Sequence, residues 1–558
     1  MQQSVPSPSV VQSTFAATLF DEWCRSGLRD VVVCPGSRST PLTLACSERD
    51  ELQLHVRIDE RSAGFFALGR ALATERPVAI IVTSGTAAAE LLAVVAEADL
   101  SGVALLIVTA DRPPELHGVG APQTIIHRDL YGSKVRRFEE PGVARLEAAS
   151  SWRLLANRLW LSAQGSAGRP GPVHLNVALV EPLIADALAL PGGRDDGRPW
   201  RTVHERSPRL ARFDVHNARV LAVLGSGVSR ATIDQCVALD WVVLGDATTQ
   251  NSTPYFDSLL RDEAFAAVVR PELVIRLGGV PASKVLQEQL ARWDVRTVAF
   301  DGAGPVADPD GRISEVVRGL PSSENATLRA DRSYHQLWRE ASARVGSWLE
   351  SRFDAERELS EPALARAVVA ASARHAIPLV IGSSMPVRDV EWWAPARESP
   401  TYANRGANGI DGVVSTVLGV TAGARGLGLI GDVTFLHDVS GLVDGLGEAG
   451  GSCVLVVANN QGGGIFSFLA QASALAPERF EQLFATPHSH DLVAVAKAFG
   501  HASEMVTTPA QLRTAIDTGV AEPGLSVIVA RVRSREENVR HHAELNDAVH
   551  QVWRAGAT

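Results

Sequence analysis

Short apolar runs that end in polar turns recur along most of this chain. In the first third they are Asp30–Cys34 (DVVVC), Leu52–Val56, Ala79–Thr83, Ala104–Ala110 and Pro172–Val177. Each is too short for a typical helix and nearly continuous in apolar character, which predicts strands buried on both faces. Thr86–Ala98 (TAAAELLAVVAEA), between two of them, has the length and composition of a helix. Strand, helix and strand in that order predict a βαβ unit and hence a parallel sheet.

The same grammar continues downstream. Residues 186–213 are rich in Pro, Gly, Arg and Asp and are predicted to be a linker between a first domain, 1–185, and a central α/β domain, 214–333. In the central domain Arg219–Leu224 runs into GSG, Trp241–Gly245 into Asp246, and Leu273–Leu277 into GG. The GSG lacks the third glycine of a dinucleotide fingerprint and is predicted to be a tight turn. A lead-in helix, Tyr334–Phe353, opens the last domain, 334–558. There Ile377–Gly382, Gly428–Gly431, Cys453–Ala458 and Leu525–Val532 are predicted strands, and Leu492–Phe499 an amphipathic helix. The expected fold class is α/β, with three doubly wound parallel-sheet domains and no short-period repeat.

Composition narrows the function. The 558 residues allow three to five domains at roughly 100–200 residues each. With 46% apolar and 21% charged residues the chain is ordinary globular protein, neither collagenous nor disordered. A net charge of −10 argues against a nucleic-acid binder or an anionic-membrane binder, which need a basic surface. It leaves room for a small anionic substrate held by a local Arg cluster. The five cysteines are scattered, odd in number and free of CxxC spacing, so a reducing compartment fits better than a disulfide framework or a zinc site. No signal peptide is evident, and no apolar run reaches the ~18 residues of a membrane span. A cytoplasmic enzyme is the expectation.

The polar strand ends carry the chemistry. LIGD places Asp432 after a strand, and SCVLVVA runs into Asn459, Asn460, Gln461 and Gly462, with twenty-eight residues separating Asp432 from Asn460. That gap suffices for a crossover helix and a return strand, so both ends can reach the carboxyl edge of one sheet, where ligands bind. A carboxylate, an amide oxygen and a free carbonyl are hard donors suited to Mg²⁺ shared with phosphate oxygens. Nearby, Gly426, Gly428 and Gly431 formally spell GxGxxG, but the third glycine ends a strand instead of opening a helix, so the match is discounted. In the first domain Cys34–Arg38, Arg57–Arg61, Thr83–Thr86 and Asp111–Pro113 follow four successive strands and bring polar groups to one edge. The histidines, including the pairs His488 and His490, and His541 and His542, have no metal-ligand spacing and are assigned no role.

Asp432 with the Asn460 segment resembles the signature of thiamine-diphosphate enzymes, and the strand-end Glu60 resembles their activating glutamate. CPGSRSTPL, RIDERSAG, TSGTA, TADRPPEL, NRGANGIDG and NNQGGGIF together are similar to one branch, the MenD family of 2-succinyl-5-enolpyruvyl-6-hydroxy-3-cyclohexene-1-carboxylate synthases. Val433, where other branches have the second glycine of GDG, points the same way.

The resemblance implies thiamine diphosphate and Mg²⁺, with Mn²⁺ as an alternative, at a site built between subunits of a homodimer or dimer of dimers. It implies Asp432, Asn460 and the Gly462 carbonyl as metal ligands, with Gly431 beside the cofactor. It implies Glu60 at the aminopyrimidine ring as the catalytic residue, Ile410 as the prop that keeps the cofactor bent, and Ile465 and Phe466 as apolar cover. The implied reaction, in menaquinone biosynthesis, decarboxylates 2-oxoglutarate and adds the four-carbon remainder to isochorismate. Ser384, Arg388 and Arg405 would serve the first substrate; Ser37, Arg38, Arg112, Gln123 and Lys284 would serve the second. Planar guanidinium suits two dicarboxylate substrates. Pro122 and Val285 depart from the family pattern.

Two other readings are separable from this one. A different thiamine-diphosphate decarboxylase or carboligase would not need four strand-end arginines. A nucleotide-binding regulatory protein would need a working phosphate loop, and both glycine-rich candidates fail.

Overall fold

The computed structural model describes residues 6–166, 168–203, 213–303, 307–447 and 450–555. The chain forms two compact units. The first comprises Met1–Glu205, Asn404–Ala424 and His437–Gly451; the second comprises Arg206–Ala403, Arg425–Leu436 and Ser452–Thr558. The stretch expected as one last domain is thus shared: NRGANGIDG and the helix after it pack with the first unit.

In the first unit β1 (Asp30–Val33), β2 (Gln53–Val56), β3 (Val78–Val82), β4 (Leu105–Asp111), β5 (Phe138–Glu139) and β6 (Val173–Ala178) make one sheet, in the order β2-β1-β3-β4-β6-β5. Every neighbouring pair is parallel. The second unit holds two more parallel sheets. Strands β7 (Val220–Leu224), β8 (Val242–Gly245), β9 (Leu273–Leu277), β10 (Arg296–Phe300) and β11 (Glu315–Val317) lie in the order β11-β10-β9-β7-β8. Strands β12 (Leu379–Ile381), β13 (Thr401–Tyr402), β14 (Arg425–Gly431), β15 (Ser452–Asn459), β16 (Ala502–Val506) and β17 (Gly524–Arg531) lie in the order β13-β12-β14-β15-β17-β16. That is the strand order of the first sheet again. Both reverse direction between their first and third strands, the place where doubly wound sheets open a crevice for ligands.

The expected α/β class holds, with instructive differences. Strands β5, β11, β13 and β16 were not evident in the sequence. All four are sheet edges, short or partly exposed, and so lack the continuous apolar run of a central strand. Strand β10, RTVAF, begins on an exposed arginine and escaped for the same reason. The helix expected over Thr86–Ala98 breaks into Thr86–Glu90 and Leu92–Ser101, because Leu91 N–H bonds Ala88 O, three residues back, and tightens the turn. Of the expected linker, 204–212 lie outside the described residues. The remainder is tied to the first unit: Arg153 donates to Pro191 O at 2.9 Å, Asn157 to Arg201 O at 3.1 Å, and Arg25 to Arg194 O at 3.1 Å. The GSG is a turn, as expected. Gly225 N–H bonds Leu277 O and Gly279 N–H bonds Ser226 O, so two turns at the β7/β9 reversal are hydrogen-bonded to each other.

Two helices of the first unit cross at unusually close range, Glu60–Thr74 and Val413–Thr421. A Cβ on Gly69 would lie 2.2 Å from Thr416 O, and one on Gly419 would lie 2.1 Å from Phe66 O. Backbone meets backbone, which only glycine permits. This contact fixes the helix that begins at Glu60 against the segment that carries Ile410. Gly419→Ala should therefore destabilise the first unit by about 1–3 kcal/mol through overpacking, read as a lower midpoint of thermal unfolding. An unchanged midpoint would show that the crossing relaxes freely.

Candidate cofactor and substrate site

Because the first sheet is parallel, the turns after β1, β2, β3 and β4 all open at one edge, and these are the four polar segments marked in the sequence. Glu60 is half-buried at the first position of its helix, capped by Asp59, whose carboxylate accepts Ser62 N–H at 2.8 Å. Burial raises the Glu60 carboxyl above its ordinary value, and the Asp59 and Glu90 charges add to the shift. Arg38, after β1, is buried and donates to Leu179 O at 2.9 Å, with Glu181 at 3.1 Å. Burial, and then the charge of Arg112, lowers its basicity. The Nε atoms of both Arg38 and Arg112 are buried without a protein acceptor. Two neighbouring guanidiniums with spare donors form a place that asks for an anion.

Gln123 takes a left-handed backbone conformation (φ +55°) and donates to Ser84 O at 3.0 Å. Gly85 makes room for it, since a Cβ there would sit 2.8 Å from Gln123 Cγ. Ser37 is exposed at the same edge. Arg405 is paired with the Asn408 side chain, and Ile410 is half-buried. Gly406 is needed here for space, since a Cβ would lie 2.6 Å from Glu97 O, not for a left-handed turn. Asn408 and Gly412 supply the positive φ angles.

In the second unit the site grows from the reversal between β12 and β14. Asp432 follows β14 and is 2% exposed. Its carboxylate accepts Val433 N–H at 2.7 Å and Gly462 N–H at 3.0 Å, which folds the loop after β15 onto it. A Cβ on Gly462 would meet Ala485 O at 2.4 Å, and Gly463 N–H bonds the same carbonyl at 2.7 Å, so the glycines let this loop slide under the segment around Ala485. Asn460 donates Nδ2 to Glu361 at 2.7 Å, while its Oδ1 is buried without a partner. The Gly462 carbonyl accepts Gly464 N–H at 2.9 Å and keeps a second lone pair. Gly431 ends β14 with open space beside it: a Cβ there would meet nothing closer than Thr434 Oγ1 at 3.9 Å.

Ile465 and Phe466 lie half-buried in the turn Gly464–Phe468, with Phe466 5.8 Å from the Phe484 ring. On the other flank Ser384 adopts φ +74° and ψ −132°, a strained conformation for a residue with a side chain, directly before helix Met385–Trp393. Arg388 donates to its carbonyl at 2.8 Å. Lys284 opens the helix Lys284–Trp293 and is 88% exposed, with Glu288 3.4 Å away one turn on.

Residues 13–131 match the thiamine pyrophosphate enzyme N-terminal TPP binding domain, and residues 392–530 match the corresponding C-terminal TPP binding domain. The 2-succinyl-5-enolpyruvyl-6-hydroxy-3-cyclohexene-1-carboxylate synthase of Myxococcus xanthus is 38% identical across 95% of this chain and 96% of its own. Those of Saccharopolyspora erythraea, at 36% across 98% and 100%, and Thermobifida fusca, at 37% across 96% and 98%, are similar over the same extent. The chain belongs to this synthase family. It is a thiamine-diphosphate-dependent enzyme, and the transferase class fits.

Three features of this member were not legible in its motifs. His488, assigned no role from spacing, places Nε2 3.3 Å from Asp432 Oδ2. Glu361, ninety-nine residues before Asn460, is the acceptor that orients it. Behind Arg112, Asp111 accepts from Asn176 at 2.8 Å, and Asn176 is bonded to Thr109 and His127, both at 2.8 Å. No sequence spacing brings these groups together; packing does. Among the described residues no three His, Cys, Asp or Glu side chains are grouped to hold a metal. Any cation here depends on amide and carbonyl oxygens as well.

Burial, reinforced by the neighbouring Asp389 charge, pushes the Glu361 carboxyl up to about 8 from an ordinary 4.5, against the Asn460 hydrogen bond that favours its ionised form. The folded chain then holds a proton that the unfolded chain has released. Stability from this group is full below about pH 4.5 and is lost as pH rises toward 8. The cofactor-free protein should therefore lose stability between those values by up to about 1.4 kcal/mol per pH unit, one proton's worth. Denaturant titrations across pH should show that slope in the wild type and a flatter one in Glu361→Gln. Equal slopes would remove Glu361 as its source.

Proposed function

We propose that this chain decarboxylates 2-oxoglutarate and adds the succinic-semialdehyde unit to isochorismate, giving 2-succinyl-5-enolpyruvyl-6-hydroxy-3-cyclohexene-1-carboxylate and CO2 in menaquinone biosynthesis. The observation that carries the reading is the pair Arg38 and Arg112, buried donors in want of an anion at the same sheet edge as Glu60. Dicarboxylate substrates supply what they lack.

Thiamine diphosphate, when bound, supplies the electron sink for loss of CO2 and for the new carbon–carbon bond. Glu60 would present its carboxyl, whose pKa burial raises above the ordinary value, to the aminopyrimidine ring. Asp432, Asn460 and the Gly462 carbonyl would hold Mg²⁺, or Mn²⁺, which would neutralise diphosphate charge. The donor set fits: all three are hard oxygens, and Asn460 Oδ1 is buried with no other partner. The space beside Gly431 would accommodate the diphosphate, Ile410 would support the cofactor, and Ile465 and Phe466 would exclude water. Arg405, Arg388 and Ser384 grip the 2-oxoglutarate-derived part. Ser37, Arg38, Arg112, Gln123 and Lys284 grip isochorismate. The enzyme works in the cytoplasm as a homodimer or dimer of dimers, with the Glu60 edge and the Asp432 edge of one site contributed by two copies. No helix among the described residues is long and apolar enough to cross a membrane.

Mass spectrometry of a reaction containing both substrates is the direct test. The expected product carries the succinyl unit on the isochorismate ring and forms only with both present. A carboligation product from 2-oxo acids alone would instead identify a different thiamine-diphosphate carboligase.

Glu60→Gln should keep cofactor affinity but slow hydrogen–deuterium exchange at the cofactor's C2 by orders of magnitude, because an amide cannot relay the proton. Acid-quench NMR reads the exchange. Wild-type exchange would exclude Glu60 from activation.

A further inference from the structure

Helix Leu92–Ser101 is almost wholly apolar along its buried face, yet Glu97 lies on that face, 3% exposed. Its Oε1 accepts Gly406 N–H at 2.7 Å and its Oε2 accepts Ala407 N–H at 2.6 Å. Ser101 Oγ donates to Oε1 at 2.5 Å. No Arg, Lys or His is paired with it among the described residues. A buried carboxylate held only by neutral donors is an expensive way to tie down a loop. What it obtains is geometry: both oxygens grip two consecutive amides, which fixes the orientation of the peptide planes as a single hydrogen bond would not.

These two amides directly follow Arg405. The loop lies flat on the helix, because a Cβ on Gly406 would come within 2.6 Å of Glu97 O and 2.7 Å of Ser101 Oγ. The glycine is therefore required by Glu97's own helix. Arg405 leaves the loop at its last residue before the clamp, tied on its far side to Asn408.

We propose that Glu97 is a positioning residue for Arg405: by clamping the Gly406 and Ala407 amides it sets the aim of the guanidinium at the distal carboxylate of the 2-oxo acid. This rests on the reading of Arg405 as a ligand of that carboxylate. A plain structural tether would affect all substrates alike. A positioning residue should affect only substrates that Arg405 can grip.

The experiment compares decarboxylation of 2-oxoglutarate with that of 2-oxovalerate, which carries a methyl group in place of the distal carboxylate. Wild type, Glu97→Gln, Arg405→Ala and the double variant are measured as holoenzymes, with thiamine-diphosphate affinity and thermal midpoint recorded for each. Glu97→Gln keeps the shape but presents an NH2 to one of the two amides. The expected result is a roughly 10–100-fold fall in the preference for 2-oxoglutarate, as for loss of a charge-assisted hydrogen bond. Cofactor affinity should be unchanged, and the double variant should be no worse than Arg405→Ala alone. Equal losses on both substrates, or losses that multiply in the double variant, overturn the proposal. If Arg405→Ala itself leaves the preference intact, the carboxylate reading of Arg405 fails, while the double variant still shows whether Glu97 acts through Arg405. Should Glu97→Gln not fold, Gly406→Ala breaks the same contact from the loop side and must give the same signature.

Discussion

A parallel sheet delivers every strand-to-helix turn to one edge, and the chemistry of this protein depends on that constraint. Strands β1 to β4 end on Cys34–Arg38, Arg57–Glu60, Thr83–Gly85 and Asp111–Arg112, and β12, β14 and β15 end on Ser384, Asp432 and Asn460. No single turn is a site. Each becomes one because hydrogen-bonded register holds its neighbours beside it, and because the strand order reverses between the first and third strands and leaves a crevice. The same order occurs in both six-stranded sheets.

Charge is handled in opposite ways at these edges. The anionic groups Asp432 and Glu97 are satisfied by backbone amides: Val433 and Gly462 for one, Gly406 and Ala407 for the other. They fix loops. The cationic groups Arg38 and Arg112 keep buried Nε donors without a protein acceptor. Glycine follows the same logic. At Gly69, Gly406, Gly419 and Gly462 a Cβ would strike a backbone oxygen. These glycines serve close approach, whereas at Gly85 and Gly412 the left-handed backbone itself is required.

Much of this was legible. Central strands announce themselves as apolar runs because both faces are covered, and the polar residues after them were correctly read as lying on one edge. The edge strands β5, β11, β13 and β16 were not legible, because half their surroundings are solvent and their composition says little. The break at Leu91 is a one-residue shift in hydrogen bonding that no composition reports.

By itself the sequence determined the α/β class, the family, and the placement of Arg38, Glu60, Arg112, Asp432 and Asn460 after strands, because those properties reside in local runs and in short motifs at strand ends. Tertiary structure alone decided which segments share a unit, so that NRGANGIDG packs with residues some three hundred positions earlier. It also decided which silent side chains do the holding. Glu361 on Asn460, His488 beside Asp432 and Glu97 on the Arg405 loop are partners across long stretches of chain. The physical reason is that a hydrogen bond is specified by position in space to a few tenths of an ångström, and only the packed helices and sheets fix positions so finely.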